Sequence, residues 1–66
     1  MTVLQALQSA SIEPREARLL LAAATGFSEA SVVAYPEREL PTEAQSRFQD
    51  FIQRRRGGEP VAYIAR

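Results

Sequence analysis

The chain has 66 residues, which limits it to one small domain near the lower size at which folding needs no cross-links. It contains neither cysteine nor histidine, so disulfides, thiolate or imidazole metal sites and the usual general base at neutral pH are excluded. Eight arginines balance eight acidic residues, which argues against broad binding to nucleic-acid phosphates. We therefore expect no catalytic residue, no metal and no cofactor within these residues.

The first half of the chain carries clear signals for two helices. Thr2 and Gln5 have the spacing of a capping box and predict a first helix over residues 3–9. Pro14 suits the first turn of a second helix, and Gly26 can end that helix in a left-handed conformation. The apolar residues of the second helix have i, i+3, i+4, i+7 spacing, so we predict it to be the most buried element. These residues are Ala17, Leu20, Leu21 and Ala24.

The second half predicts two more helices, the second of them long. Ser28 is the predicted cap of a short third helix that ends near Tyr35, and residues 36–41 are predicted to form a loop. Thr42 and Gln45 repeat the capping-box spacing and predict the start of the fourth helix. The periodicity of that helix predicts one mostly apolar face and another that carries a ladder of alternating charge. The first face is Ala44, Phe48, Phe51, Ile52 and Arg55, and the ladder is Glu43, Arg47, Asp50 and Arg54.

These elements predict an all-α fold, a small bundle of four helices plus a short fifth turn. Gly57 is predicted to end the fourth helix, and Pro60 to restart the chain. Residues 61–64 could then form one more helical turn or the lead-in to a strand. The three phenylalanines are expected in the core (Phe27, Phe48 and Phe51). No stretch is long and apolar enough for a membrane span or a secretory signal, so we expect a soluble, cytoplasmic protein.

The candidate site is the junction after the fourth helix. Its arginines could form a nucleic-acid patch, or they could satisfy the helix end and the charge ladder. They could also bridge to a following domain or to a protein partner, which is the interpretation we favour. Glu13, Glu16 and Arg18 are interpreted as ordinary solvated charge and not as an acid/base group. The candidate contact residues are Arg54, Arg55, Arg56, Glu59, Pro60 and Tyr63.

Residues 54–64, Arg-Arg-Arg-Gly-Gly-Glu-Pro-Val-Ala-Tyr-Ile, resemble the end of the N-terminal domain of the HemK/PrmC family. Members of this family are N5-glutamine methyltransferases that modify peptide chain release factors. Residues 16–21, Glu-Ala-Arg-Leu-Leu-Leu, resemble the second helix of that domain. One departure is Arg66, which stands where many members have glycine at the start of a hairpin.

The resemblance implies a substrate-recognition domain over residues 1–58, with residues 59–66 starting the linker to a Rossmann-like catalytic domain. That larger domain would bind S-adenosylmethionine and act on the glutamine of the Gly-Gly-Gln loop in a class-1 release factor. The implied partners are the release factor and the chain's own catalytic domain, with no direct nucleic acid, no membrane and a monomeric state. Two alternatives stay open: a passive structural cap on the catalytic domain, and a free-standing helical protein-interaction module.

Overall fold

The computed structural model describes residues 1–65, and within them every regular element is a helix. The helices are α1 (Val3–Ser9), α2 (Pro14–Thr25), α3 (Glu29–Ala34), α4 (Thr42–Arg56) and α5 (Val61–Ile64). The all-α prediction is confirmed, and residues 61–64 form the helical turn, not a strand. No helix of the described part is long and apolar enough to cross a bilayer. Arg66, where the sequence departs from the family pattern, lies outside the described residues.

Helix α2 lies at the centre of the molecule and contacts all four other helices. Leu20 and Leu21 are fully buried, so the prediction that α2 is the most buried element is confirmed. Phe48 is buried, while Phe27 and Phe51 are partly buried against the same core, as predicted for the three rings. The buried cluster draws on every helix and on the loop before α4: Val3, Ala6, Leu20, Leu21, Ala24, Val32, Leu40, Phe48, Ile52 and Ile64.

Helices α2 and α4 run antiparallel, which gives the bundle two distinct ends. Near the start of α4, Arg47 Nη1 donates a hydrogen bond of 2.7 Å to the carbonyl of Ala24, near the end of α2. At the other extreme, Arg55 in the last turn of α4 bonds to Glu16 in the first turn of α2. We call the region of Gly26, α3 and the loop of residues 36–41 the α3 end, and the region of residues 57–65 the α5 end.

The start of α1 is capped from two directions. Thr2 Oγ1 accepts from the N–H of Gln5 at 3.2 Å, and Gln5 Oε1 accepts from the N–H of Thr2 at 2.9 Å, so the first capping box is confirmed. The next two donors bond to the loop before α4: Val3 N–H to the Arg38 carbonyl and Leu4 N–H to the Pro36 carbonyl, both at 2.9 Å. Since the first turn of a helix has no internal acceptors, this loop completes α1.

The second predicted capping box is wrong. The N-cap of α4 is Pro41, whose carbonyl accepts the first intrahelical hydrogen bond, from the N–H of Gln45 at 3.0 Å. Thr42 is therefore already inside the helix, and its hydroxyl does not occupy the capping position. The Gln45 side chain instead donates to the carbonyl of Leu40 at 3.2 Å. The helix begins one residue earlier than the Thr-x-x-Gln spacing indicates.

The charge ladder predicted along α4 is also wrong as a set of ion pairs. No salt bridge joins its neighbouring members in the part of the chain that the structure describes. Arg47 bonds across to α2, and Arg54 pairs with Glu59. The pKa of Arg54 is raised mainly by its hydrogen bond to Glu59, with the charge of Asp50 as a lesser cause. Both arginines of the predicted ladder therefore bond to groups outside α4 and not to the acidic residues within it.

Arg47 supplies a cap for a different helix, and its removal should be measurable. The Ala24 carbonyl is one of the last acceptors of α2, which no later N–H of that helix can reach. We expect Arg47→Ala to lower the free energy of unfolding by about 1 kcal/mol, the usual net value of a hydrogen bond. Gln49→Ala, at an exposed position of the same helix, is the control and should change it by less than ~0.5 kcal/mol. Equal effects in urea titrations would show that this bond does not stabilise the bundle.

Candidate functional site

The end of α4 closes in a Schellman motif built on two adjacent glycines. The N–H of Gly58 donates to the Arg55 carbonyl at 3.0 Å, and the N–H of Glu59 donates to the Arg54 carbonyl at 3.1 Å. Gly57 is the cap residue, so the predicted helix end is confirmed. Its φ of −77° is an ordinary helical value, whereas Gly58 has a φ of +101°. The left-handed turn that redirects the chain therefore depends on Gly58.

A salt bridge between two side chains also joins the residues on either side of this cap. Arg54 Nη2 donates to Glu59 Oε2, and both side chains are partly exposed. The two residues occupy the positions whose side chains usually make an apolar contact in a Schellman motif. Here an ion pair takes the place of that contact, and the hydrogen bond to Glu59 raises the pKa of Arg54. Residue 59 is thereby bound to α4 through both its backbone and its side chain.

A second arginine connects three parts of the molecule. Arg55 Nε donates to Glu16 Oε1 at 3.0 Å, and Arg55 Nη2 donates to Glu16 Oε2 at 3.2 Å, the two-pronged geometry that guanidinium and carboxylate groups favour. Its remaining terminal nitrogen, Nη1, donates to the carbonyl of Glu59 at 3.4 Å. This one side chain therefore joins the end of α4 to the first turn of α2 and to the residue that follows the cap.

Both arginines are charged across the physiological pH range, as any arginine is, and these contacts raise the pKa of each further. The hydrogen bond to Glu16, helped by its charge, raises the pKa of Arg55 above the ordinary value, as Glu59 does for Arg54. A cation whose folded-state pKa is raised stabilises the fold fully below its unfolded pKa and loses that effect only as the pH rises through the folded value. For arginine this lies far above neutrality, so the arginine side of these pairs does not titrate near pH 7.

The other predicted contact residues are placed differently. Arg56 is exposed and makes no salt bridge within residues 1–65. Pro60 is the N-cap of α5, and its carbonyl accepts from the N–H of Tyr63 at 3.0 Å. The Tyr63 side chain is 57% exposed, while the next residue, Ile64, is buried. The structure thus brings all six residues to one end of the bundle, where Arg56 and Tyr63 are exposed.

Sequence reasoning missed one member of this site. Glu16 was interpreted as solvated charge, yet it accepts both hydrogen bonds from Arg55. The two residues are 39 positions apart in the chain, so no local spacing could pair them. The available signal was that one acidic residue lies in the first turn of α2 and three arginines in the last turn of α4. An antiparallel arrangement of these helices brings the two turns together.

Helix α5 is held against the bundle and is not detached from it. It contacts both α2 and α4, and Ile64 is 5% exposed within the common core. Placing the end of the domain at residue 58 remains a prediction. The fold and the site together define a small helical domain whose last turn is braced by ion pairs that set the direction of residues 59–60.

The domain can now be assigned to a family. The chain matches the family model of the PrmC N-terminal domain over residues 2–65, and it belongs to that family. Residues 54–64 had indicated the same family, so the resemblance is confirmed.

Several curated relatives are described as "Release factor glutamine methyltransferase". The chain is 55% identical over 49 residues to the one from Pseudomonas aeruginosa, covering 74% of this chain and 18% of that protein. It is 41% identical over 61 residues to the one from Coxiella burnetii, covering 91% and 22%, and 40% identical over 73 residues to the one from Koribacter versatilis, covering 97% and 26%. The chain thus spans 18 to 26% of the length of these relatives. No solved structure matches it.

Proposed function

We propose that this chain is the release-factor-recognition domain of a methyltransferase. The enzyme would use S-adenosylmethionine to methylate the glutamine of the Gly-Gly-Gln loop in class-1 peptide chain release factors. The observation that supports this proposal is the family match over residues 2–65, together with relatives described as release factor glutamine methyltransferases. The cofactor would be bound by the catalytic domain. The domain would act as a monomer in the cytoplasm, without direct contact to nucleic acid or membrane.

A recognition domain suits this reaction for a physical reason. A short loop offers an active site few contacts with which to distinguish one glutamine from others. Binding energy collected at a distance can position the reacting amide, and it improves catalysis when it is used for orientation. Two linked contacts of modest strength also exceed either one alone, because the second binding step becomes intramolecular.

The braced α5 end supports a fixed relation between this domain and a catalytic domain that follows it. The Gly58 turn and the pairs of Arg54 and Arg55 set the direction of residues 59–60. Arg56 and Tyr63 lie beside this point, and we propose that they contact the catalytic domain. Binding energy from contacts on the helical domain can orient the reacting loop only if the relative orientation of the two domains is fixed.

One observation favours a second candidate, the passive structural cap. Arg54 and Arg55 are both paired inside the domain, which is the arrangement expected if these arginines serve the fold and never touch the substrate. In that case residues 1–58 would shield or stabilise the catalytic domain only. The two candidates differ in what they predict for large and small substrates.

The discriminating measurement is kcat/KM of a methyltransferase that carries this domain, with and without residues 1–58. The substrates are a purified class-1 release factor and a short peptide containing Gly-Gly-Gln, which is the matched control because it cannot reach a distant contact. For recognition we expect the deletion to lower kcat/KM by about tenfold or more on the release factor and to leave the peptide unchanged, since a lost distant contact costs transition-state binding only for the large substrate. Equal losses on both substrates would support the passive cap.

A titration of the 66-residue chain gives an independent readout. We expect a class-1 release factor to cause saturable NMR shifts that map to one surface of the chain at low and at moderate salt. No shifts, together with equal kinetic losses on both substrates, would overturn the proposal. Steeply salt-dependent binding to random duplex DNA would instead indicate a nucleic-acid binder.

A further inference from the structure

The α3 end carries an open cleft of about 530 Å³, and the side chains that line it take part in none of the contacts described so far. It is formed by the last residue of α3 and the first part of the following loop: Ala34, Tyr35, Pro36, Glu37 and Arg38. Because α2 and α4 are antiparallel, this cleft and the braced α5 end lie at opposite ends of the bundle. The end with the cleft is therefore left exposed if another domain packs at the α5 end.

Arg38 lies in the wall of this cleft and is held there by contacts of its side chain and its backbone. Its guanidinium carbon lies 4.4 Å from the centre of the Phe27 ring and 4.7 Å from the centre of the Tyr35 ring. Its backbone carbonyl accepts from the N–H of Val3, and its own N–H donates to the Tyr35 carbonyl at 3.2 Å. Cation–π contacts favour this position of the side chain and backbone bonds hold the loop, which reduces the conformational freedom that binding would remove.

The donors of this guanidinium have no acceptor within the described chain. Arg38 forms no salt bridge and no side-chain hydrogen bond among residues 1–65, in contrast to Arg54 and Arg55. An arginine that stacks on aromatic rings keeps its N–H groups directed outward from the ring contacts, and these groups match the two oxygens of a carboxylate. A partner carboxylate is therefore the complementary group.

Ala34, Tyr35 and Pro36 give the cleft an apolar side, and further apolar residues outside its lining are also exposed. Tyr35 is 54% exposed, and Val33 on the same turn of α3 is 61% exposed. Leu4, whose N–H bonds to the Pro36 carbonyl, is 45% exposed beside the loop. Exposed aromatic and aliphatic side chains next to a fixed cation can take an apolar side chain that adjoins an acidic one.

Two carboxylates limit what can bind. Glu37 belongs to the cleft, and Glu39, which pairs with the Met1 ammonium at 3.1 Å, is 73% exposed at its side chain. Their negative charge opposes a polyanion such as a nucleic-acid strand more strongly than a single carboxylate that can pair directly with Arg38. We infer that the cleft docks a segment of a protein partner in which one Asp or Glu adjoins an apolar side chain, with Arg38 binding the carboxylate. That the partner is the release factor rests on the proposed function.

The test uses the 66-residue chain, two probes and matched variants. A class-1 release factor is titrated into the wild type, Arg38→Gln, Arg38→Lys and the control Arg15→Gln, an exposed arginine of α2. We expect Arg38→Gln to raise Kd by about tenfold or more, Arg38→Lys to raise it less because the charge remains, and Arg15→Gln to leave it within about twofold. Thermal unfolding of each variant shows whether it is folded, and Arg38→Lys serves if Arg38→Gln is not.

The second probe separates the cleft from the identity of its partner. Blocked Ala-Leu-Glu-Ala and Ala-Leu-Gln-Ala peptides are added while the Arg38 Nε–H signal is followed, and we expect only the glutamate peptide to shift it. If that occurs without release-factor binding, the cleft chemistry stands and the release factor is not the partner of this cleft. The kinetic comparison with and without residues 1–58 then decides the proposed function separately. If the release factor binds wild type and both Arg38 variants equally, the inference is overturned and the proposed function stands. If neither probe moves the Arg38 signal, the inference is overturned.

Discussion

Leu20→Ala should lower the free energy of unfolding by ~2–5 kcal/mol, the largest effect we expect from a single substitution in this chain. Leu20 is 0% exposed, and its helix α2 contacts all four other helices. Truncation would leave a cavity where several elements meet, so the surroundings cannot collapse into it without moving more than one helix. Thermal and urea unfolding followed by circular dichroism would give the change.

The control for this substitution is Leu4→Ala. Leu4 belongs to α1 and is 45% exposed, so the same chemical change should cost less than about 1 kcal/mol. A domain of this size has a small stability, so the Leu20 variant is best measured with a stabilising osmolyte present. We expect reversible wild-type unfolding well below ~90 °C, the start of the hyperstable range. A Leu20 variant that melts within ~2 °C of the wild type would contradict the central position of α2.

Gly58→Ala should destabilise the domain by ~1–2 kcal/mol, because an L side chain rarely adopts its φ of +101°. The neighbouring glycine is the matched control. At Gly57 φ is −77°, and an added Cβ would meet the Arg54 carbonyl oxygen at 3.4 Å, an ordinary contact. Gly57→Ala should therefore be neutral or stabilising by up to ~1 kcal/mol, since it restricts the unfolded chain.

The glycine pair also tests the site and not only the fold. In an enzyme that carries the domain, Gly58→Ala should reduce kcat/KM on a release factor more than on a Gly-Gly-Gln peptide. The reason is that the substitution would alter the turn between this domain and the catalytic domain, whereas the active site would be unchanged. Chemical denaturation of both variants, compared with their kinetics, separates a loss of folding stability from a change in the chain direction that the Gly58 turn sets. Equal denaturation midpoints for the two alanine variants would show that the left-handed turn is not required.

Local signals predicted most of the helices, because the residues that start and stop them act within one turn. Thr2 with Gln5, Pro14 and Gly26 each perform the expected role at the expected position. Burial of α2 also followed from its own spacing of apolar residues. The capping box predicted at Thr42 is wrong for a related local reason, since Pro41 takes the N-cap position one residue earlier and Thr42 becomes the first residue of the helix.

Contacts between distant residues were beyond prediction. The bonds from Val3 and Leu4 to the loop before α4 join backbone groups, which every residue has, so they leave no side-chain pattern in the sequence. The pairing of Arg55 with Glu16 needed the antiparallel packing of two helices. At the candidate site, the glycines and the family resemblance could be found from the sequence. The sequence could not show which of the arginines form ion pairs and which one stays exposed.

The turn at Gly58 has a consequence for distances at the far side of the bundle. The longest dimension of the domain is 29 Å, and the cleft at Arg38 lies at the end remote from this turn. A rotation of roughly 10° about the turn would displace a point a full 29 Å away by about 5 Å, which is the upper limit for this domain and several times the ~1 Å error at which a reacting group loses much of its rate. The two arginine pairs beside Gly58 therefore limit an angle whose small changes would produce large displacements at the end where a partner would dock.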